Sequence, residues 1–297
     1  MEVRVWKPKT VRSWVLPMQE ARVLPIGDIH FGAAGCDLER LRKHLRWGVK
    51  NNCYFLGMGD YLDVASPSNR RALKSISGGL YESVREMMDE KMAESTDKLA
   101  RILAPTKGRW LGLVSGHHLW EFEDGSTTDT RLAAKLGTAY MGDGAAMSIL
   151  HFVYKRPGQQ GHDLHGHAKI WYHHGLGFGR TPTGRLNRLI GISQTFFAHV
   201  YLVGHSHAKV HDREPWIDVG VTPQGNIRWE STNRIRATTG GFLKGYELGT
   251  KNAHGYPAAS YVERGAMPPT ALGGILLCIR PRIREGRVEI DLGYSDG

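Results

Sequence analysis

Tyr201-Leu202-Val203-Gly204-His205-Ser206-His207 reads as a short buried strand that runs straight into a glycine and two histidines one residue apart. Three other stretches have the same build, an apolar run ending in a small residue and then a metal-binding side chain. They are Val23-Leu24-Pro25-Ile26-Gly27-Asp28-Ile29-His30, Tyr54-Phe55-Leu56-Gly57-Met58-Gly59-Asp60 and Trp110-Leu111-Gly112-Leu113-Val114-Ser115-Gly116-His117-His118. A fifth, Ile170-Trp171-Tyr172-His173-His174-Gly175, lies between the last two in chain order. Open α/β sheets bind ligands beyond the carboxyl ends of their strands, so residues far apart in sequence converge there. The pattern predicts one sheet edge carrying Asp28, His30, Asp60, His117, His118, His173 or His174, His205 and His207. Imidazoles mixed with carboxylates suit Zn, Mn, Fe or Ni, whereas Mg or Ca would want more oxygen. Two cations held close together need a shared ligand, and Asp60 is the natural bridging carboxylate.

Outside these strands the chain is an ordinary globular sequence, 41% hydrophobic and 23% charged over 297 residues. No apolar run approaches the roughly 20 residues needed to span a bilayer. The amino terminus, Met-Glu-Val-Arg-Val-Trp-Lys-Pro-Lys, lacks a secretory core. Cys36, Cys53 and Cys278 are too few and too scattered for a disulfide framework or a thiolate zinc site, so a cytoplasmic, reducing setting is expected. The balance of 39 Lys and Arg against 29 Asp and Glu leaves a net charge of +10. Such an excess concentrates anionic partners, a phosphate-ester substrate or DNA and RNA being the natural candidates.

Taken in order, residues 3–15 suggest one or two short strands, and 21–27 the first buried one. Asp37 can cap a helix whose buried face is Leu38, Leu41, Leu45 and Val49, with Arg40, Arg42, Lys43 and Arg46 on its solvated side. Residues 67–79 look like a basic loop. A long helix over about 80–103 would bury Val84, Met87, Met88, Leu99 and Ile102. Thr127 or Thr128 starts a helix that Gly137 ends. His165 and His167 mimic the spacing of His205 and His207, but no apolar strand leads into them, and they read as surface residues. The first two-thirds alternate strand and helix, and 208–297 is mostly β. With no linker or repeat, the expectation is a single domain over 1–297 whose last third completes a second sheet.

Asp28-Ile29-His30, Gly59-Asp60, Gly116-His117-His118, His174-Gly175 and Gly204-His205-Ser206-His207 resemble the ordered motifs of the calcineurin-like metallophosphoesterases. The resemblance covers about 23–207, and the closing Gly-His-x-His is its most specific part. It implies a four-layer α/β/β/α sandwich of two mixed sheets flanked by helices. A weaker resemblance, to the phage and prophage branch, rests on Gly241-Phe242-Leu243-Lys244-Gly245-Tyr246, Ser260-Tyr261 and Pro268-Pro269. By resemblance, Asp28, His30 and His207 hold one metal, Asp60 bridges, and His174 and His205 hold the second. The family motif puts the ligand immediately before glycine, which favours His174 over His173. This chain departs from the pattern twice: His117 stands where the family has a ligating Asn, and Leu119 where an acidic residue usually follows.

The chemistry expected from that resemblance is hydrolysis of phosphodiesters by a hydroxide bridging two divalent transition metals, manganese first and iron, zinc or nickel next. His118 is the expected proton donor to the leaving alkoxide, oriented by Glu121 or Glu123. Arg180, just past the metal-bearing strand, is a candidate phosphate contact. A small-substrate phosphomonoesterase is the runner-up, and a non-catalytic scaffold of the same fold is the alternative from a different class.

Overall fold

The computed structural model describes residues 10–296 except 78, 156–162, 178, 180, 222–224, 248, 250, 252–253 and 285. Two mixed β-sheets stack face to face with helices outside them, in an α/β/β/α arrangement. The larger sheet has the order β1-β5-β6-β7-β9-β8, from β1 (Val11–Leu16), β5 (Ala146–Tyr154), β6 (Leu164–His173), β7 (Val200–Val203), β9 (Ile227–Thr238) and β8 (His211–Val221). The smaller has the order β11-β10-β2-β3-β4, from β11 (Arg287–Asp296), β10 (Ile275–Arg284), β2 (Ala21–Ile26), β3 (Tyr54–Gly57) and β4 (Trp110–Leu113). β2, β3 and β4 run parallel, as do β6, β7 and β9, so each sheet delivers its strand ends toward one edge.

Alternation along the strands divides the apolar side chains between layers. Val23, Leu56 and Leu111 meet Leu150, Phe152, Ile170, Leu202 and Ile235 between the sheets. Leu24, Phe55, Trp110 and Leu113 point the other way, against Leu41 and Leu45 of α1 (Leu38–Lys50), Leu99 and Leu103 of α3 (Glu82–Leu103), and Leu132 and Leu136 of α4 (Thr128–Leu136). Tyr201 and Val203 face Leu186 and Leu189 of α5 (Pro182–Thr195). β7 is therefore buried on both faces, which explains its unbroken apolar run. The helix ends follow local rules. Asp37 accepts from the Arg40 amide, and Thr127 and Thr130 form a reciprocal capping box. Gly137 closes α4 at φ 67°.

Three sequence expectations change. Residues 67–77 form a helix, α2 (Pro67–Ser77), rather than a loop. Met87 is exposed instead of packed, because the amino-terminal half of α3 stands off the core. That half is held by Asp89, which accepts from Trp120 Nε1 at 2.6 Å. The last third does not complete one sheet: β10 pairs with β2 in the smaller sheet, while β9 pairs with β7 in the larger. β8 is an exposed edge strand: Ile217, Val219 and Val221 alternate with Asp218 and Gly220, but most of its side chains face solvent. It also carries Pro215, which an edge strand tolerates. His165 and His167 lie on the exposed side of β6. No helix among the described residues is long and apolar enough to cross a membrane.

Candidate metal centre

Each strand that points at the shared edge ends in a sharp backbone turn. Asp28, His30, Asp60, His205 and His207 all have left-handed φ angles of 47–61°, a conformation that costs a non-glycine residue of order 1 kcal/mol or more. Five such residues at three strand ends mark a site whose geometry is imposed by its surroundings. Those surroundings are mostly backbone hydrogen bonds between loops. The Ile29 and His30 amides donate to the Asp60 carbonyl at 2.9 and 3.0 Å, the Asp28 amide donates to the Gly59 carbonyl, and the Phe242 amide donates to the Asp28 carbonyl. The Asp28 and Asp60 side chains do the rest. Asp28 Oδ2 accepts from the His205 amide at 2.8 Å, and Asp60 Oδ1 accepts from the His117 and His118 amides at 2.5 and 2.9 Å. Glycine is required where these loops touch: a Cβ on Gly116 would fall on the Asp60 amide and carboxylate.

The turns bring together two groups of ligand-type atoms, each within 4.8 Å of one another. One is Asp28, His30 and His207, and the other is Asp60, His117, His174 and His205. Asp60 Oδ2 faces both, 3.1 Å from His174 Nε2 and 3.7 Å from His30 Nε2. Its other oxygen is occupied by amides, so any bridging would run through Oδ2 alone. Of the adjacent histidines, His174 is buried in the second group. His173 turns back to accept from the Gly175 amide at 2.7 Å and stacks on Trp171. His174 Nδ1 lies 2.8 Å from the Met58 carbonyl, which fixes a proton there and leaves Nε2 as the nitrogen that faces Asp60 and would turn to a cation once deprotonated.

A third group, His30, Asp63 and His118, opens the cluster toward solvent. Asp63 Oδ1 is 2.9 Å from His118 Nδ1 and 3.3 Å from His30 Nδ1. The expected orienting residues do not do this: Glu121 pairs with Arg70, and Glu123 with Arg85. Leu119 is buried, so no acid belongs at that position. Two further positioning residues escaped sequence reading. Arg70 of α2 donates to the carbonyls of Ala65, His117 and Leu119, clamping the loop that carries His117 and His118. Asp129 in the first turn of α4 accepts from the Gly116 amide at 3.3 Å. Arg180 lies outside the described residues. Arg188, behind it on α5, donates to the Leu176 carbonyl.

The electrostatics of these residues by themselves are in conflict. Complete burial pushes the Asp28 carboxyl up to about 7, and the nearby Asp60 charge adds to this. Burial would raise Asp60 too, but the imidazoles of His174, His30 and His118 outweigh it and hold it well below the usual carboxylate range. Burial lowers His205 to about 4 and His207 to about 3, with neighbouring imidazoles adding to the effect, so both are neutral donors. His174 rises to about 9: burial opposes its proton, but Asp60 and Asp28 keep it. Asp28 Oδ1 and His30 Nε2 are buried without a hydrogen-bond partner, a costly arrangement for protein alone. Two orphaned ligand atoms, two buried carboxylates and a ring of imidazoles are the donor set that divalent transition cations require, and the residues fit such a group.

No protein-family model and no curated protein matches the chain. Among solved structures, vacuolar protein sorting 29 from Cryptosporidium parvum matches at 13% identity and a TM-score of 0.33, covering 94% of this chain and all of that one. A zinc complex of Vps29 from Entamoeba histolytica matches at 12% and 0.34, covering 92% and 98%. A conserved uncharacterized protein of Streptococcus pneumoniae, described as a predicted phosphoesterase, matches at 10% and 0.32, covering 93% and 90%. Likenesses this distant say nothing of chemistry, since one fold hosts many functions.

Proposed function

We propose that this chain is a dinuclear metal-dependent phosphoesterase of the calcineurin-like type, acting on phosphodiesters, with nucleic acid the substrate class its +10 charge favours. The observation that carries the reading is the pair of ligand groups sharing the free oxygen of Asp60, with buried donor atoms left unpaired. Asp28, His30 and His207 would hold one divalent ion, His117, His174 and His205 the other, and Asp60 both. Manganese is the first candidate, with iron, zinc and nickel as alternatives. Such ions, when bound, supply Lewis acidity and lower the pKa of water so that a nucleophile exists near neutral pH.

The protein's own contribution is a proton and its placement. His118 is partly open to solvent beside both ligand groups, and its Nδ1 faces Asp63. That hydrogen bond raises the His118 pKa against the opposing effect of burial, which favours the protonated ring whose Nε2–H would be given to a leaving alkoxide. Asp63, itself held well below the ordinary carboxylate range by His118 and His30, stays ionised throughout. The test is to strip the protein with chelator, reload it with manganese, and compare a chromogenic diester, the matching monoester, and single- and double-stranded DNA. Diester and DNA cleavage support the reading, and turnover of the monoester alone replaces it with a phosphomonoesterase.

A second reading, a metal-holding scaffold without turnover, has one specific observation on its side. His117 gives the second group three imidazoles, with His117 Nδ1 and His205 Nδ1 only 3.3 Å apart. A set so rich in nitrogen favours tight, static zinc over exchangeable manganese. Stoichiometric zinc binding with no hydrolysis of any of the four substrates, in either metal form, would select it.

A further inference from the structure

β8 and β9 form a hairpin that is half in the sandwich and half outside it. From Arg234 to Thr238, β9 is buried, pairing with β7 and packing its Ile235 and Ala237 into the layer between the sheets. Before Arg234 the described residues of the hairpin are mostly exposed. Ile227 precedes Arg234 by seven strand residues, so the free part extends about 25 Å beyond the sheet. Because β9 and β7 are parallel and the metal centre follows the end of β7, the arm projects from the opposite end of the molecule.

The register fixes which side chains share a face. Val219 opposes Trp229 and Val221 opposes Ile227, with Ile217 next on the same side, and these five are 54–72% exposed. In the same register this face continues inward to Ile235 and Ala237, so it is the inter-sheet surface prolonged past the sheet that covers it. The other face is different. Trp216 there is capped by the Arg234 guanidinium at 3.9 Å and lies near Phe197, while Asp218 and Gly220 follow it outward. The arm is thus amphipathic, with about 600 Å² of apolar surface on one side, at the top of what a monomer's largest patch normally reaches.

We infer that this face is a self-association surface, which packs against the same face of a second copy of the chain about a twofold axis. The area supports it: two such faces together bury on the order of 1,200 Å², the lower bound for a specific interface. The free part of the face, outward from Pro215 and Asn233, carries no charged residue, and Arg213 farther in on the same side donates to the Leu292 carbonyl, so pairing the free parts brings no like charges together. The charge of the arm argues against an anionic partner. Residues 216–232 hold Asp218 and Glu230 against Arg228 alone, in a chain whose net charge is +10, whereas lipid-surface and nucleic-acid docking elements are rich in Lys and Arg. The inference does not depend on the proposed hydrolysis.

Sedimentation velocity of the full chain over about 1–100 µM, a range that brackets micromolar dissociation constants, tests it. The wild type is expected to shift from 33.1 kDa to twice that mass as concentration rises. Val219→Glu and Val219→Lys should each remain at 33.1 kDa with an unchanged melting temperature at low concentration, since the position is exposed. Mixing the two variants should restore the dimer. Asp218→Asn, on the opposite face, should associate like the wild type. A wild type that stays monomeric to 100 µM overturns the inference, and co-sedimentation of that monomer with phosphatidylcholine–phosphatidylserine vesicles would assign the face to lipid. A dimer that survives both Val219 substitutions overturns the assigned surface.

Discussion

Asp63→Asn isolates the role of the carboxylate that faces His118. The change keeps size and shape but removes the charge that sits 2.9 Å from His118 Nδ1. A hydrogen bond between charged groups contributes about 1.5–3 kcal/mol. The two side chains are 36% and 30% exposed, so solvent screening leaves roughly 1–1.5 kcal/mol. That is about tenfold in the rate of any step needing the His118 proton. The sign follows from the direction of the shift. The bond to Asp63 raises His118, so without that charge the ring loses its proton at lower pH than in the wild type. In kcat–pH profiles of manganese-loaded protein on an alkyl phosphodiester, the alkaline limb of the variant should begin at lower pH than that of the wild type. A nitrophenyl diester, whose leaving group needs no proton, should be turned over almost as fast as before. Asp63 also faces His30, so metal content must be measured alongside by elemental analysis. An unmoved alkaline limb, or an equal fall on both substrates at full metal content, would refute a proton-donating His118 held by Asp63.

Gly116→Ala should cost about 1–3 kcal/mol of stability and most of the metal, because its Cβ meets the Asp60 backbone and carboxylate, neither of which can yield; thermal melting and elemental analysis report both. His117→Asn removes one imidazole from the four-residue group and should shift competition between equimolar zinc and manganese toward manganese, read by metal content after dialysis. Arg70→Ala frees three carbonyls in the His117–Leu119 loop and its neighbour, and should lower kcat severalfold with metal content near normal. Chelated protein should lose stability as pH rises from about 6.5 to 9. His174 at about 9, and Asp28 at about 7, lie above their unfolded values, so the folded state binds protons that the unfolded state has released, whereas the lowered His205 and His207 contribute nothing above 6.5. Metal-loaded protein should show a flatter profile in the same melting series, a cation having replaced those protons.

What the sequence disclosed and what it hid divide along a physical line. Strands buried on both faces announce themselves, as Val200–Val203 does, and the residue after such a strand is committed to the sheet edge. Helix boundaries set by side-chain caps were equally legible at Asp37, Thr127 and Gly137, because the capping atoms belong to the local sequence. Pattern fails where burial is not the reason for structure. β8 is held by its ladder with β9 while most of its side chains face solvent, and α2 matters through one arginine, two of whose three carbonyl partners are more than 40 residues away.

The same distinction explains the one carboxylate that was misassigned. Local sequence points to Glu121 and Glu123, just downstream of His118, although nearness in sequence says little in a site built from crossing loops. Asp63 was the better candidate on a physical ground available in the chain: it lies three residues past Asp60, in a loop already committed to the site. The structure shows how that loop is held. Phe31 donates to the Tyr61 carbonyl and accepts from the Asp63 amide at 3.0 Å, so the segment after His30 and the segment after Asp60 run side by side. Any acidic residue at 63 must then stand beside His30, and beside whatever follows the Gly116 turn. The buried Leu119 and the placement of Asp63 are two sides of one arrangement: with the carboxylate delivered from the Asp60 loop, position 119 is free to pack into the interior.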